Sequence, residues 1–273
     1  MKKFEGMLFC TDLDGTLYTT DKKVSKRNLE AIEYFKSEGG IFTFITGRVP
    51  ESSGAMFELI KPNAPYGCIN GGGIYDGYEN KYLWKASLPF EAVELVKLVH
   101  EKLPTMGIQY STENGVYFCK DNEAMERFRQ LTGLPNLVCN FDDWSHTVIK
   151  IVFADLDEEQ ILALADLLEA QPKSKDFDFV RSASILYEIL PKGANKGDVL
   201  FKMADMLGID KKKTIAVGDY NNDISMIKSA GLGFAVANAV DEVKAVADYV
   251  TLSNDEDAIA MIIEGLDKGE FVF

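Results

Sequence analysis

The N-terminal part of the chain alternates short apolar segments with segments of helical spacing. The apolar segments have the length of β-strands and end in polar or turn residues; they cover residues 7–11, 41–45 and 66–69. Between them, apolar residues recur at helical spacing after the possible N-cap Ser25 and across residues 51–60. Strands this uniformly apolar are typical of a parallel sheet that is covered on both faces. We therefore predict an α/β fold built on a Rossmann-like parallel sheet.

The pattern changes after Gly73, where short strands cluster and Asn114-Gly115 is a hairpin signal. Strands are predicted here at 74–75, 81–84, 108–111, 116–119, 148–153, 176–181 and 185–190, and helices at 90–103, 121–132 and 157–170. From residue 195 helix and strand alternate again, with strands at 214–217 and 233–236 between helices at 195–207, 222–230, 241–247 and after 253. We predict a core domain of residues 1–85 and 188–273, interrupted by an inserted α+β domain of residues 86–187.

The overall charge limits the partners of the chain. Its 273 residues carry a formal net charge of −14, which opposes broad affinity for nucleic acid or anionic membranes. A phosphate group would have to be bound locally, by a few cations or a metal ion. No apolar run approaches the roughly 18 residues that a membrane span needs. We expect a cytoplasmic protein with no nucleic-acid or membrane partner, either a monomer or a homodimer.

Cysteine and histidine chemistry is disfavoured. The four cysteines, Cys10, Cys68, Cys119 and Cys139, form no CxxC pair and mostly lie in apolar runs, so we expect reduced thiols in the core. The two histidines, His100 and His146, belong to no HExxH motif and lie near no GxSxG serine. Zinc hydrolase and serine-triad mechanisms are therefore poor candidates.

Polar residues follow four of the predicted strands. Ligands of open parallel sheets bind beyond the carboxyl ends of the strands, so these residues are candidate ligand contacts. They are Asp12 and Asp14, Thr46 and Arg48, Asn70, and the segment 218–223. Any one of them alone would be explained as a turn former or a helix N-cap. That explanation accounts poorly for four strand ends together, and we predict a site at this edge of the sheet.

The motifs that contain these residues resemble the haloacid dehalogenase superfamily, in particular its Cof-type sugar phosphatases (type IIB, with a C2 cap). In chain order they are DLDGTL at 12–17, ITGR at 45–48, NGG at 70–72, GANKG at 193–197 and GDYNND at 218–223. The resemblance covers the whole chain. It implies a magnesium-dependent phosphatase of small phosphorylated metabolites, with an α/β core and an inserted α+β cap that selects the substrate.

The chemistry of the first motif can also be argued from its residues. Asp12, on a rigid strand end, can attack phosphorus and divide a slow hydrolysis into two easier steps. Asp14, two residues later, can protonate the leaving oxygen and then activate a water. A divalent cation would remove the repulsion between carboxylate and phosphate, and hard oxygen ligands suit Mg²⁺.

The resemblance assigns further roles in this site. For the metal it implies Asp12, the backbone carbonyl of Asp14, Asp219, and Asn222 or Asp223, although the last two residues could also be helix N-caps. For the phosphoryl group and substrate it implies Thr46, Gly47, Arg48, Asn70 and Lys196, with Thr46 and Lys196 also counted as catalytic. In the inserted domain Lys150, Arg181 and Tyr187 are weaker substrate candidates, for which a structural role is favoured.

Several alternatives can be weighed from the sequence. PKGANKGD lacks Walker A spacing, and the glycine clusters do not complete GxGxxG, so nucleotide-binding loops are disfavoured. A phosphomutase or phosphotransferase that uses the same intermediate stays open. A non-catalytic binding protein is less favoured, because it could lose Asp12 or Asp14 without penalty. Hexose phosphates, pentose phosphates, pyridoxal phosphate and flavin mononucleotide all remain candidate substrates.

Overall fold

The computed structural model describes residues 2–142 and 146–273. Within them the strands are β1 (Leu8–Thr11), β2 (Ile41–Phe44), β3 (Tyr66–Cys68), β4 (Gly73–Asp76), β5 (Lys81–Lys85), β6 (Gly107–Thr112), β7 (Gly115–Lys120), β8 (Leu137–Val138), β9 (Val148–Ala154), β10 (Phe177–Ala183), β11 (Leu186–Pro191), β12 (Thr214–Gly218), β13 (Leu232–Ala235) and β14 (Tyr249–Val250). The α-helices are α1 (Lys26–Ser37), α2 (Pro50–Ile60), α3 (Ala92–Lys102), α4 (Glu123–Thr132), α5 (Glu158–Glu169), α6 (Lys196–Leu207), α7 (Ile224–Ser229), α8 (Asp241–Lys244) and α9 (Ala258–Lys268).

The chain divides into two compact units. The first contains the residues up to Gly47, then Ser53–Leu83 and Asn195–Phe273. The second contains Arg48–Ser52 and Trp84–Ala194. That the first unit is a catalytic core and the second a cap that selects substrate stays a prediction.

The first unit is built on a parallel sheet of strand order β14-β13-β12-β1-β2. Cys10 in the interior strand β1 lies opposite Ala216 of β12 on one side and Thr43 of β2 on the other. All four residues of β1 are buried, as expected for a strand that is covered on both faces. Helix α1 begins after Ser25, whose side chain accepts a hydrogen bond from the backbone N–H of Asn28. The predicted α/β fold is confirmed.

Strand β3 differs from its prediction as a further strand of this parallel sheet. A single parallel bridge, Ile45 to Gly67, connects it to the end of β2. Its main partner is β4, to which it pairs antiparallel in a separate sheet of order β3-β4-β5. The physical reason is the tight turn at Ile69–Gly71, which reverses the chain directly after β3 instead of leading it into a crossover helix.

The second unit contains a sheet of order β10-β11-β9-β6-β7-β8, antiparallel except for β7 and β8. One face of this sheet packs on α3 and α5 to form an apolar core that includes Tyr110, Phe153 and Ile189. The predicted hairpin at Asn114-Gly115 joins β6 to β7. The short strands β8 and β14 were not predicted, because two residues carry no recognisable alternation.

The expectation of four reduced cysteines is wrong for one pair. Cys119 and Cys139 form a disulfide across a separation of 20 residues, whereas Cys10 and Cys68 are free and buried. The cause lies in the pairing of β7 with β8, where Phe118 lies opposite Val138. The next residue of each strand is a cysteine, so strand pairing brings together two thiols that are distant in sequence.

Among the described residues, no helix combines the length and the apolar character that crossing a lipid bilayer requires. The expected cytoplasmic location and the expected monomer or homodimer stay predictions.

Candidate active site

Asp12 lies directly after β1, at the carboxyl end of the parallel sheet. Its backbone N–H donates to the carbonyl of Val217 at 2.9 Å, which extends the pairing of β1 with β12 by one residue. The chain then makes a wide turn over Leu13–Leu17, closed by a 2.8 Å bond from Tyr18 N to Leu13 O. Asp12 is only 6% exposed. Its carboxylate is therefore held in one place by a rigid strand end.

Lys196 reaches the same place from the first turn of α6. The helix is capped by Asn195, whose Oδ1 accepts from Asp198 N at 3.0 Å. The Lys196 side chain is completely buried, and its Nζ lies 2.6 Å from Asp12 Oδ1 and 2.6 Å from Asp223 Oδ1. Burial lowers the pKa of Lys196, but the charges of Asp12 and Asp223 outweigh this effect, so the pKa is raised. The structure thus brings the predicted lysine and nucleophile into direct contact.

Asp223 connects Lys196 to the loop after β12 through hydrogen bonds. Its Oδ1 accepts from Lys196, and its Oδ2 accepts from the backbone N–H groups of Asp219 and Tyr220, at 2.9 and 3.2 Å. Both carboxylate oxygens therefore already have donors. This arrangement orients Lys196 and fixes the loop that carries Asp219.

Asp12, Asp219 and Asp223 form a cluster of carboxylates. Each offers one oxygen, and these oxygens lie within 4.8 Å of one another. Burial raises the pKa of Asp12 well above its usual range, although the charge of Lys196 opposes the shift. Burial, followed by the charge of Asp223, raises the pKa of Asp219 to about 7. Three carboxylates beside one ammonium leave a surplus of two negative charges when all are ionised.

This donor set fits a divalent cation. A cation of charge +2 balances the surplus, and carboxylate oxygens are the hard ligands that Mg²⁺ prefers. The adjoining turn adds amide oxygens: Oδ1 of Asn221 and Oδ1 of Asn222 are buried and have no hydrogen-bond partner within the described part of the chain. Buried acceptors normally have donors, so unpaired oxygens beside a carboxylate cluster are consistent with a bound cation and its waters.

Thr16 contributes to the site and was missed by the sequence analysis as a site residue. Its hydroxyl donates to Asp219 Oδ1 at 2.7 Å across 203 residues of sequence. Gly15 precedes it with φ of 81°, and a Cβ at this position would collide with the Asp219 carboxylate. The available signal was the DLDGTL string itself, in which Gly15 and Thr16 follow the two aspartates.

Asp14 has a more open position. Its side chain is 40% exposed, and its Oδ1 lies 3.0 Å from Lys22 Nζ. Among the described residues it is not a member of the carboxylate cluster. The structure therefore separates the two aspartates of the motif into a buried one and a half-exposed one.

The second and third predicted strand ends also meet in the first unit. Thr46 is buried, and its carbonyl accepts from Asn70 N at 3.0 Å. Asn70 Oδ1 in turn accepts from Asn222 Nδ2 at 3.0 Å. Arg48 belongs to the second unit, where its Nη1 donates to the carbonyl of Ser52 at 3.2 Å.

The weaker candidates of the inserted region have partners within the second unit. Lys150 pairs with Glu188 at 3.0 Å, and both are buried. Arg181 forms an ion pair with Glu158. The Tyr187 hydroxyl donates to Glu169 at 2.5 Å. These contacts agree with the structural role that the sequence favoured for Lys150, Arg181 and Tyr187.

Comparison with known proteins identifies the family. The family model described as haloacid dehalogenase-like hydrolase matches residues 9–263. The chain belongs to this family. The predicted resemblance is confirmed, and so is the reaction class, that of a phosphate-monoester hydrolase.

Relatives of this haloacid dehalogenase-like hydrolase match over nearly their whole length. YitU of Bacillus subtilis, named 5-amino-6-(5-phospho-D-ribitylamino)uracil phosphatase, is 27% identical over 94% of this chain and 96% of its own. YcsE of the same organism, which has the same enzyme name, is 30% identical over 94% of each chain. The solved structure of a subclass IIB sugar phosphatase of the family is 25% identical, with a TM-score of 0.82 over 95% of this chain and 99% of that one.

Proposed function

We propose that this hydrolase is a Mg²⁺-dependent phosphatase of small phosphorylated metabolites that works through an aspartyl phosphate on Asp12. The observation that carries the proposal is the cluster of the buried Asp12 and Asp223, which both contact Lys196, with the partly buried Asp219. Its surplus negative charge suits a divalent cation, which would supply charge neutralisation between the nucleophile and the phosphoryl oxygens. Asp12 and Asp219, together with the amide oxygen of Asn222 and the Asp14 carbonyl, are the proposed ligands.

In the first step an oxygen of Asp12 attacks phosphorus, and the bond between phosphorus and the ester oxygen breaks. Asp14 gives its proton to that leaving oxygen, so the product is an alcohol. The half-exposed position of Asp14 supports this role, because a leaving group can approach it. Lys196 offers positive charge to Asp12 and to the transferring phosphoryl group, while Asp223 keeps the ammonium in place.

In the second step a water attacks the phosphorus of the aspartyl phosphate. Asp14, now a carboxylate, accepts a proton from that water. The bond between phosphorus and the Asp12 oxygen breaks, inorganic phosphate leaves, and Asp12 returns as a carboxylate. Thr46 and the Gly47 backbone are proposed to bind phosphoryl oxygens, and Arg48 and Asn70 to lie near the substrate.

The relatives guide the choice of substrates. Since YitU and YcsE are named for a phosphoribitylamino compound and a structural neighbour is a sugar phosphatase, phosphate esters of sugars or sugar alcohols are the first substrates to test. We propose that the second unit selects among them, as a cap that excludes water would.

The experiment is phosphate release from a panel of sugar, ribityl, pyridoxal and flavin phosphates and 4-nitrophenyl phosphate, with Mg²⁺ or with a chelator. We expect turnover that needs the metal and is abolished by Asp12→Asn. Asp205→Asn, an exposed aspartate on α6 that pairs with Lys211, is the matched control and should keep full activity. Turnover that survives Asp12→Asn would contradict the covalent mechanism. Conversion of a sugar phosphate into its isomer that requires an added sugar diphosphate, without net release of phosphate, would favour a mutase.

A further inference from the structure

Three consecutive residues after β3 have left-handed backbone conformations. The φ angles are 56° for Ile69, 54° for Asn70 and 99° for Gly71. Such angles suit glycine, but they are unfavourable for asparagine and more so for the β-branched isoleucine. Strained backbone of this kind persists only where its surroundings fix it, and it clusters at functional sites. The left-handed conformation of residues 69–71 therefore indicates that the segment holds a side chain in a particular place.

The strained segment holds the Asn70 side chain in a confined place. The Asn70 N–H donates to Thr46 O at 3.0 Å, which fixes its backbone. Its carboxamide lies against the backbone of Gly47, where an added Cβ would approach Asn70 Oδ1 to 2.7 Å. A side chain at residue 47 would thus displace the Asn70 amide, and Gly47 allows the close approach.

The Asn70 amide determines which way the Asn222 amide points. Asn70 Oδ1 can only accept a hydrogen bond, so it selects the Nδ2 group of Asn222, at 3.0 Å. The Asn222 Oδ1 is thereby directed away from Asn70. This oxygen is buried and has no hydrogen-bond partner in the part of the chain that the structure describes. A buried acceptor without a donor lowers the stability of the folded chain, so the orientation of Asn222 Oδ1 is explained if this oxygen contacts a ligand.

We propose that Asn70 is a positioning residue that orients Asn222 Oδ1 toward the divalent cation of the carboxylate cluster or a water bound to it. Asn222 lies in the turn that also carries Asp219 and Asp223, two members of that cluster. Asn70 then acts through Asn222 and not by contacting the substrate. The inference rests on the proposed function in one respect only, the presence of the cation.

The test uses Asn70→Gly, because glycine accepts the observed φ of 54° and lacks the side-chain amide. We expect the variant to keep a cooperative melting transition, while the Kd for Mg²⁺, measured by calorimetry, increases about tenfold or more. Asn70→Asp keeps an acceptor oxygen for Asn222 Nδ2 and should restore most of the affinity. The matched control is Asn80→Gly, an exposed asparagine with φ of 50°, which should leave the Kd unchanged.

Asn222→Ala provides a second, independent variant. It should weaken Mg²⁺ binding as much as Asn70→Gly does, and the double variant should lose no more, because both changes remove one oriented oxygen. A Kd that is unchanged in Asn70→Gly, or losses that add in the double variant, would overturn the inference. If Asn70→Gly leaves the Kd unchanged and the wild type turns over substrate, the inference fails and the proposed function stands. If Mg²⁺ binding depends on Asn70 but no substrate is turned over, the proposed function fails and the inference stands.

Discussion

Each unit buries a lysine beside a carboxylate, but in different settings. Lys196 of the first unit is 0% exposed and lies 2.6 Å from two aspartates at the carboxyl end of a parallel sheet. Lys150 of the second unit is 4% exposed and lies 3.0 Å from Glu188, within strands β9 and β11 of an antiparallel sheet. The groups around Lys196 come from strand and helix ends far apart in sequence, whereas Lys150 and Glu188 belong to neighbouring strands.

The comparison teaches that a buried ion pair is not by itself a sign of catalysis. A buried pair can be replaced by apolar residues at little cost, so it is also weak evidence for a stabilising role. What distinguishes Lys196 is the surrounding cluster of three carboxylates at the edge where parallel sheets bind ligands, in which burial raises the pKa of Asp12 and of Asp219. Substitutions at the two lysines and at Asp219 test this distinction.

Lys196→Met should separate the two lysines most clearly. The change removes the positive charge beside Asp12, so we expect kcat to fall by about 10³-fold, roughly 4 kcal/mol in the barrier. Steady-state phosphate release measures it. Lys192→Met, at an exposed lysine that pairs with Asp178, is the control and should keep the wild-type kcat. Equal activity of both variants would show that Lys196 has no catalytic part.

Lys150→Met should affect stability and leave the chemistry intact. It leaves the Glu188 carboxylate buried without its ammonium, and we expect the free energy of unfolding, measured in urea, to fall by about 3 kcal/mol. The double variant Lys150→Met/Glu188→Leu removes both charges and should recover most of this loss. The kcat for 4-nitrophenyl phosphate should not change. A loss of kcat as large as that of Lys196→Met would show that the two buried lysines do not differ in their roles.

The affinity for Mg²⁺ should increase with pH around neutrality. Asp219 has a pKa of about 7 without the cation, so a proton competes with the metal below this pH. We expect the affinity to fall by up to about tenfold per pH unit below 7, as measured by calorimetry. Asp219→Asn should weaken binding and reduce this dependence, and the part that is left belongs to Asp12, whose pKa is also raised. A pH-independent affinity of the wild type would contradict the raised pKa of Asp219.

The same pKa makes a prediction for the cation-free protein. Asp219 has a pKa of about 7 in the folded chain and of about 4 in the unfolded chain. Between about pH 4 and 7 the folded state therefore binds more protons at this residue than the unfolded state does. The contribution of this group to stability is therefore greatest at low pH and decreases as the pH rises through that range. Asp219→Asn should flatten that part of the pH profile of the urea midpoint.

Much of the fold could be predicted because its signals are local. Ser25 was identified as an N-cap before helical spacing, and its hydroxyl caps α1 in the structure. Lys196 was expected at a helix start, and α6 begins there. The disulfide between Cys119 and Cys139 could not be predicted, because it depends on the parallel pairing of β7 with β8 and no local pattern encodes that register.

The residues at the ends of the strands could be read from the amino-acid sequence alone, because apolar runs followed by polar residues and glycine set strand length and turn position locally. These strand ends include Asp12, Asp219 and Asp223, whereas Lys196, at a predicted helix start, was assigned to the site through the family resemblance. The contacts among these groups follow from the tertiary structure and from no local pattern. They are the bond from Thr16 to Asp219, the pair of Asn70 with Asn222, and the contact of Lys196 with two carboxylates. These contacts join positions up to 203 residues apart, so they form only when the strands are aligned in the folded chain. The raised pKa values of Asp12 and Asp219 likewise arise only when folding buries these groups.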